Sequence, residues 1–329
     1  MRFPTQIRAA VAAILTALSA PVAAQDLPEI RVGILAYGTA QWEMAVIESR
    51  GLDTRNGVDL VVRDLGNDQA GDIALLSGAV DLILSDLLWV SAQRAAGNPV
   101  TMVPHSRAVG GLMVNPAAGI GALGDLPGHR LGVAGGPTDK SWILLQALWA
   151  ETQATALDEA VETRFAAPPL ANELLVSGEL DAALNYWHWN ARARAAGMVE
   201  LVSVVDMLAE LGIEDPVPLL GWTFREETAA DRGAALQGFL DASAEAKRLL
   251  LEDDAVWEDL RGPMGAEGDD ALFAALRDDY RAGIIAAPDP AQRRAAEALF
   301  ALLAGQGGAD LVGGAEALSE GTIRDGHDG

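Results

Sequence analysis

Six tryptophans are spaced so that each falls near the predicted end of a strand or in a predicted crossover segment. An indole ring at such an edge can stack on a flat ring or lie beside a cation, and each contact adds about 0.5–2 kcal/mol when it is desolvated. Taken singly, each of these tryptophans fits a core position equally well. Their shared placement favours a cleft lined with aromatic rings, to which we assign Trp42, Trp89, Trp142, Trp187, Trp189 and Trp222.

Polar side chains that could orient a ligand lie at the same predicted edges. Backbone N–H groups at the starts of helices favour anionic groups by roughly 0.3–1 kcal/mol each. Thr39 and Thr138 also suit a capping role, which is compatible with a ligand contact. The set of candidates is Thr39, Gln41, Ser85, Asp86, Thr138, Asp139, Ser141, Asn185, Tyr186 and His188.

The charge of the ligand stays open at this point. Lys140, His105 and Arg107 could meet a sulfonate or a carboxylate, although each also fits a solvated surface position. Asp86 would instead suit a protonated nitrogen if it lies close to the tryptophans.

The sequence contains no signature of a phosphate-binding loop, no His-Glu-x-x-His and no Gly-x-Ser-x-Gly. Its four histidines are not at metal-ligand spacing, and the absence of cysteine excludes disulfides and thiol nucleophiles. We therefore expect no cofactor, no metal and no catalytic residue.

The element that must position these side chains occurs twice. Residues 75–97 (LLSGAVDLILSDLLWVSAQRAAG) and 174–197 (LLVSGELDAALNYWHWNARARAAG) align from Ser77 and Ser177 onward, without a gap, at a spacing of 100 residues. Each copy predicts a helix end, a short strand, a polar pair and a second helix ended by Gly. Because open α/β sheets bind ligands at the carboxyl ends of their strands, the two copies predict two similar lobes with a cleft between them.

The rest of the chain fits this arrangement. Strands and helices alternate through both halves, which predicts an α/β fold with a mostly parallel sheet in each lobe, and the segments 107–115 and 217–224 are candidate crossovers. We predict a first lobe over 25–110 and 220–305, the latter a helical return, a second lobe over 111–219, and a flexible tail over 306–329. Asp81 and Asp181 are interpreted as local turn partners.

Residues 1–24 have the pattern of a cleavable signal peptide, with a positive start, an apolar centre and small residues before Gln25. No cysteine follows, so lipidation is not expected. The chain has 47 acidic and 23 basic residues among 329, a formal charge of −24, which makes nucleic acid an unfavourable partner. Direct membrane insertion is not expected either.

Together these features resemble the nitrate/sulfonate/taurine (NitT/TauT) class of substrate-binding proteins of ABC importers, which also includes binders of thiamine-pyrimidine precursors. The resemblance covers roughly residues 29–305 and rests most on Asp125 to Val133 (DLPGHRLGV), which is similar to the family's Asp-Leu-Lys-Gly-Lys-x-hydrophobic-Gly-Val. Pro127 and His129 replace the two lysines.

The resemblance implies a periplasmic-binding-protein type II-like fold, a monomer whose lobes close on one ligand and then dock on a transmembrane permease. It places ligand contacts at Gly38 to Trp42, Ser85-Asp86, Gly136 to Ser141, including Thr138 and Lys140, and Asn185 to Trp189. We expect a periplasmic solute-binding protein for a small organic ligand, either heteroaromatic or a sulfonate or carboxylate. The alternatives are an enzyme on the same fold, similar to pyrimidine synthases or dehydratases, and a secreted sensor or accessory binding protein.

Overall fold

The computed structural model describes residues 27–285, 290–307 and 312–324, and ten strands lie within them. The strands form two sheets, of which the first takes four strands from the N-terminal part of the chain and one from a later return, and the second takes the five between. The strands are β1 (Glu29–Leu35), β2 (Asp59–Leu65), β3 (Leu82–Asp86), β4 (Val100–Ser106), β5 (Gly110–Val114), β6 (Arg130–Ala134), β7 (Glu162–Ala166), β8 (Ala182–Tyr186), β9 (Val199–Ser203) and β10 (Leu220–Arg225).

The two sheets have the same topology. One has the order β2-β1-β3-β10-β4 and the other β7-β6-β8-β5-β9, so β6 to β9 take the places of β1 to β4 and the crossing strand β5 takes the place of β10. In each sheet the crossing strand is antiparallel to both of its neighbours, whereas the strands at the other side of the sheet pair in parallel. The predicted pair of similar lobes is confirmed, and we call them the first lobe and the second lobe.

Helices connect and cover the strands, and several begin at a side chain that accepts hydrogen bonds from the first turn, as Asn67, Asp139 and Asp269 do. The helices are α1 (Ala40–Arg50), α2 (Leu52–Arg55), α3 (Asp68–Leu76), α4 (Leu87–Ala95), α5 (Lys140–Thr152), α6 (Leu157–Ala160), α7 (Pro168–Ser177), α8 (Trp187–Ala195), α9 (Val204–Glu210), α10 (Glu226–Asp231), α11 (Gly233–Glu252), α12 (Asp254–Glu258), α13 (Arg261–Met264), α14 (Asp270–Gly283) and α15 (Pro290–Gly307), with 3-10 turns at Pro116–Ala118 and Leu123–Asp125.

The crossing strand β5 depends on a glycine. Gly110 has φ of +135°, a conformation that other residues rarely adopt, and a Cβ at this position would overlap the carbonyl oxygen of Asn185 on β8. The paired glycines of the 107–115 segment therefore allow the chain, as it leaves the first lobe, to pack closely against β8 of the second sheet.

Asp81 and Asp181 are not local turn partners, which corrects the interpretation from sequence. Asp81 accepts hydrogen bonds from the backbone and the guanidinium of Arg31, and Asp181 accepts the same bonds from Arg130. The partners are 50 and 51 residues apart, so each pair ties the first parallel strand of a lobe to the strand beside it. The equivalence of the two pairs is a second mark of the internal repeat.

The C-terminal part of the chain differs from the expectation. Helix α15 packs against α5 of the second lobe, so the returning stretch does not belong to the first lobe alone. Residues 312–324, which belong to the tail that we predicted over 306–329, form a β-bridge from Ile323 to Met102 and hydrogen bonds from Ser319 to Ser91. They cover β4 at the edge of the first sheet, where the Met102 N–H donates to the Thr322 carbonyl and the Met102 carbonyl accepts from the Arg324 N–H.

The predicted signal peptide lies outside the described residues. Within the described residues, no helix is both long enough and apolar enough to cross a membrane.

Candidate functional site

A cavity lies where the two lobes face each other, and both contribute to its wall. The cavity volume is about 30 Å³, and the wider space of about 370 Å³ around it includes open solvent. The first turn of α1, the β3 strand and the helices α11 and α14 supply one side, and Trp187 at the start of α8 supplies the other. The lining residues are Thr39, Ala40, Leu84, His105, Ser106, Ala108, Trp187, Leu220, Lys247, Tyr280 and Ile284.

Glu43 lies behind the residues that line the cavity and is completely buried. Its carboxylate accepts hydrogen bonds from the Ser243 hydroxyl at 2.5 Å and the Tyr280 hydroxyl at 3.4 Å, and His105 Nε2 lies 3.5 Å from Oε2. The Trp222 indole donates to Ser243 Oγ at 3.0 Å. Burial raises the pKa of Glu43, and the hydroxyl donors and a nearby lysine oppose that change.

Lys247 supplies the positive charge of this group. Its ammonium nitrogen donates to the backbone carbonyl of His105 at 3.2 Å, and only 7% of the residue is exposed. Burial lowers its pKa, while Glu43 acts in the opposite direction. The pKa of His105 is well below its usual value because the ring is buried and lies close to Lys247. We call Glu43, His105, Ser243, Lys247 and Tyr280 the polar wall.

An aromatic cluster adjoins the polar wall and joins the lobes. Trp187 from the second lobe meets Trp42 edge-on at 5.9 Å between ring centroids and Tyr280 at 6.1 Å. Trp257 lies 6.3 Å from Trp42 and 5.4 Å from Tyr280. Helix α8 is held further by Arg192, which donates to the Met264 carbonyl, so the first turn of α8 is fixed against the first lobe.

A second polar group connects the lobes away from this cavity. Lys140 at the start of α5 forms an ion pair with Asp86 at the end of β3, with 2.7 Å between Nζ and Oδ2. Asp68, Asp72 and Asp139 lie close enough to act on the pair. Burial and then the neighbouring carboxylates raise the pKa of Asp72 to about 7, and burial also raises those of Asp68 and Asp139. We call these three aspartates and Asp86 the acidic group.

The helices that begin between the lobes differ in how their first turns are satisfied. Asp86 caps α4 and Asp139 caps α5, each accepting two backbone N–H groups. In contrast, α1 and α8 have no side-chain cap, and both begin at the cavity. Backbone carbonyls nevertheless accept hydrogen bonds from the N–H groups of Gln41, Trp42 and Trp187, so these first turns are partly satisfied within the protein.

The predicted site residues separate into those between the lobes and those elsewhere. Thr39 and Trp187 line the cavity. Asp86 and Lys140 form the ion pair between lobes, and Tyr186 lies near the acidic group, whose charges add to burial in raising its pKa. Ser85 and Ser141 are half-buried beside these residues.

Other predicted site residues have local or core roles. Gly38 forms the turn before α1, Gln41 donates to Asp64 and the Leu35 carbonyl, and Asn185 donates to the Pro168 carbonyl. Thr138 is exposed and does not cap α5, because Asp139 does.

Among the tryptophans, the structure corrects the aromatic assignment. Trp42, Trp142 and Trp222 are at most 3% exposed and belong to the cores, although Trp42 also contacts Trp187. Trp89 and Trp189 are partly buried and do not line the cavity. His188 is buried between Trp187 and Trp189. Burial, together with the charge of Arg192, lowers the pKa of His188 to about 3.

Sequence reasoning missed Glu43 and most of the polar wall. A signal was present, because Ser243 and Lys247 fall on the apolar stripe of α11 with Ala246 and Leu250, and Glu43 falls on the buried side of α1. A charged residue within an apolar stripe requires a partner. Lys247 is also one of only two lysines among the 23 basic residues.

Within the described residues, no group of three or more His, Asp or Glu side chains could hold a metal ion.

Solved structures share this fold. The alkanesulfonate-binding protein SsuA from Xanthomonas axonopodis pv. citri, bound to MOPS, has a TM-score of 0.69 at 16% identity, covering 90% of this chain and 98% of that one. The periplasmic aliphatic sulphonate binding protein SsuA from Escherichia coli has a TM-score of 0.62 at 18% identity, covering 82% and 91%. A mutant of DszB in complex with biphenyl-2-sulfinic acid has a TM-score of 0.58 at 17% identity, covering 86% and 93%.

These likenesses confirm the predicted periplasmic-binding-protein type II-like fold. No curated protein matches the sequence at a significant level. A family profile does match, over residues 43–255, and its description is NMT1/THI5 like. Since this match spans more than half of the chain, from α1 through α11, the chain belongs to the NMT1/THI5-like family.

Proposed function

We propose that this protein is a periplasmic solute-binding protein, which captures a small organic ligand between its lobes and delivers it to the permease of an ABC importer. The observation that carries the proposal is a cavity lined from both lobes, with Lys247 and Tyr280 on one side and Trp187 on the other. A ligand that contacts both sides binds the closed arrangement better than an open one, and this difference in affinity is what drives closure.

The lining supports an organic ligand. Ala40, Leu84, Ala108 and Ile284 contribute apolar surface beside the Trp187 ring, whereas a small inorganic anion such as nitrate would not require apolar contacts. Two of the similar structures are sulfonate-binding proteins by name, which supports a binding role for this fold. The α1 and α8 starts and Thr39 are the further contacts that we assign to the ligand.

Export and docking complete the proposal. We infer that residues 1–24 direct the chain to the periplasm and that cleavage leaves Gln25 as the first residue of a monomer without a lipid. The mass of the protein recovered from the periplasm tests the cleavage site, and a mass that retains residues 1–24 would contradict it.

The binding role is tested by a thermal-shift screen against heteroaromatic compounds, sulfonates, carboxylates, amino acids and amines. A ligand that binds only the folded protein raises Tm, by an amount that grows with its concentration above Kd. We expect the shift to be lost in Trp187→Ala and kept in Phe165→Ala. Phe165 is a matched control because it is an aromatic residue of the second lobe, 43% exposed and outside the cavity.

The same preparation separates the alternatives. A solute-binding protein returns its ligand unchanged after prolonged incubation, as checked by mass spectrometry, and supports uptake when its permease is present. Chemical conversion of the ligand would favour an enzyme similar to pyrimidine synthases or dehydratases. Tight binding without uptake would favour a secreted sensor. Loss of the thermal shift in both variants, or in neither, would contradict the assigned cavity.

A further inference from the structure

The lobes meet at two places that are equivalent in the internal repeat. Helices α1 and α5 follow the equivalent strands β1 and β6, and helices α4 and α8 follow the equivalent strands β3 and β8. In one place α1 meets α8 through Trp42 and Trp187, with 5.9 Å between ring centroids. In the other place α5 meets α4 through Lys140 and Asp86, whose Nζ and Oδ2 atoms are 2.7 Å apart. The same joint between the lobes is therefore aromatic at one place and ionic at the other.

The two partners of the ionic joint come from different lobes. Asp86 ends β3 of the first lobe and Lys140 begins α5 of the second, and their side chains are 21% and 39% exposed. The contact joins two protein side chains, so its formation does not require a ligand. Because it lies where strands of both sheets end, the ion pair crosses the cleft between the lobes.

Lys140 faces more than one carboxylate. Burial opposes its charge, but Asp86, Asp139 and Asp68 together outweigh burial and raise its pKa, so the ammonium group is charged at neutral pH. Burial raises the pKa values of Asp68, Asp72 and Asp139, and the charge of Lys140 acts against this change in all three. Three members of the acidic group belong to the first lobe and only Asp139 to the second. Lys140 therefore brings a positive charge from the second lobe to an acidic part of the first.

The two partners of the ion pair are not equally replaceable. Without Lys140, closing the cleft would remove Asp86 from water, beside the carboxylates of α3, with no positive charge to compensate it. Without Asp86, the ammonium group keeps Asp68 and Asp139 as neighbours of opposite charge. Removing the lysine should therefore disfavour closure more than removing the aspartate, and removing both should disfavour it less than removing the lysine alone.

We propose that Lys140 and Asp86 form an ionic latch, which holds the lobes closed before a ligand binds and must break to admit one. This inference rests on the proposed function, because it describes the closure of the cleft that holds the ligand. The aromatic joint acts through packing of rings, on which sodium chloride has little effect, whereas an ion pair that is partly exposed is screened by salt. A closing equilibrium that responds to salt is therefore the signature of the latch.

The test uses the ligand-free protein, whose sequence has no cysteine to interfere with labelling. Arg63 on β2 and Arg164 on β7 are exposed, and they pair with Gly33 and Gly132 at equivalent places in the two sheets. Two strands separate each labelled strand from the crossing strand of its sheet, so the distance between the labels is sensitive to rotation of the lobes about the crossovers. With Arg63→Cys and Arg164→Cys carrying donor and acceptor dyes, single-molecule fluorescence energy transfer gives the ratio of closed to open molecules.

The variants are compared in this labelled background at about pH 8, above the pKa of Asp72 of about 7. Asp86→Asn should lower the closed-to-open ratio about two- to fivefold, which is the range for a partly exposed ion pair. Lys140→Met should lower it about 5- to 15-fold, and adding Asp86→Asn to Lys140→Met should recover part of that loss.

Salt and a matched charge change complete the comparison. Raising sodium chloride from about 0.05 M to about 1 M should move the wild type towards the ratio of Asp86→Asn. Arg248→Met is the control, because it removes a positive charge from an exposed ion pair with Glu252 on α11 and should behave like the wild type. The salt series of the wild type requires no latch variant, so a folding defect in Lys140→Met, as checked by circular dichroism, would not remove the test.

Three results would overturn the inference while the proposed function stands. These are a wild-type ratio that salt leaves unchanged, a ratio in Lys140→Met equal to that of the wild type, and a double variant that is more open than Lys140→Met. The last result would mean that the two side chains act independently. The proposed function is decided separately by the ligand screen, and a screen without any hit would count against that function without altering the measured equilibrium of the lobes.

Discussion

Replacing Trp187 by alanine should shift the protein towards an open arrangement of its lobes. This ring carries the second lobe's side of the aromatic cluster, with centroids 5.9 Å from Trp42 and 6.1 Å from Tyr280. An aromatic pair contributes roughly 0.5–1.5 kcal/mol beyond its buried area. Removing two pairs therefore costs the closed form about 1–3 kcal/mol, which changes the equilibrium between closed and open forms about 5- to 150-fold.

Small-angle X-ray scattering of the ligand-free protein measures this shift directly. Trp187→Ala should have a larger radius of gyration than the wild type, and the difference should shrink when a saturating ligand is added. Trp187→Phe is the matched control, because it keeps an aromatic ring in the same place and should scatter like the wild type. Ligand affinity should fall by at least the factor by which the closed population falls, since only the closed form makes contacts from both lobes and the variant also loses the ring that faces the ligand.

The α8 helix also contacts the first lobe through Arg192 and through the ion pair of Arg194 with Asp279. If these contacts alone hold the lobes together, Trp187→Ala will leave the radius of gyration of the ligand-free protein equal to that of the wild type. That result would refute the claim that the aromatic cluster controls closure. Unchanged circular dichroism excludes unfolding as the explanation of a positive result.

Three further changes test the framework around the site. Asp181→Asn should cost about 1–2 kcal/mol of unfolding free energy at neutral pH. Hydrogen bonds from Arg130 lower the pKa of Asp181 to about 2. This stabilisation is therefore present above the unfolded pKa near 4 and is lost as the pH falls from about 4 to about 2. Urea denaturation should show the unfolding free energies of the variant and the wild type converging across this range. Gly110→Ala should cost about 2–5 kcal/mol, because its φ of +135° and the nearby carbonyl oxygen leave no room for Cβ; an unchanged Tm would contradict this account of the crossover. Asp86→Asn keeps the cap of α4 but removes the ion pair with Lys140, so it should cost about 0.5–1 kcal/mol at low salt and little at about 1 M salt.

The architecture could be predicted from the sequence because it is repeated in it. Ser-Gly and a final Gly recur in both copies at the same spacing, and each marks a local event that backbone sterics dictate. Asp81 and Asp181 recur as well, but their arginine partners lie 50 and 51 residues away. The glycines at 110–111 also indicated where the chain crosses. In contrast, the packing of 312–324 against β4 could not be predicted, since it depends on which sheet edge lacks a neighbour.

The site was predicted less well, for a physical reason. Position at a strand end is a property of local sequence, and it indicated Thr39, Asp86 and Trp187, which the structure places between the lobes. Whether a tryptophan then faces a cavity or a core depends on its neighbours in three dimensions, which is why Trp142 and Trp222 were assigned to the cleft although they are core residues.

The two halves of the molecule show how one repeated unit can produce an asymmetric site. Asp86 and Tyr186 occupy equivalent positions in the two copies, but only Asp86 caps the helix that follows it. The start of α4 is thereby satisfied within the protein, while the start of α8 remains uncapped and brings Trp187 to the cavity. An unequal pair of helix starts gives the cleft a polarity that two identical lobes would lack. Lys247 lies on α11, outside the repeat, and places a basic group on one side only. If the proposed function holds, a ligand with one apolar and one polar end should therefore bind in a single orientation.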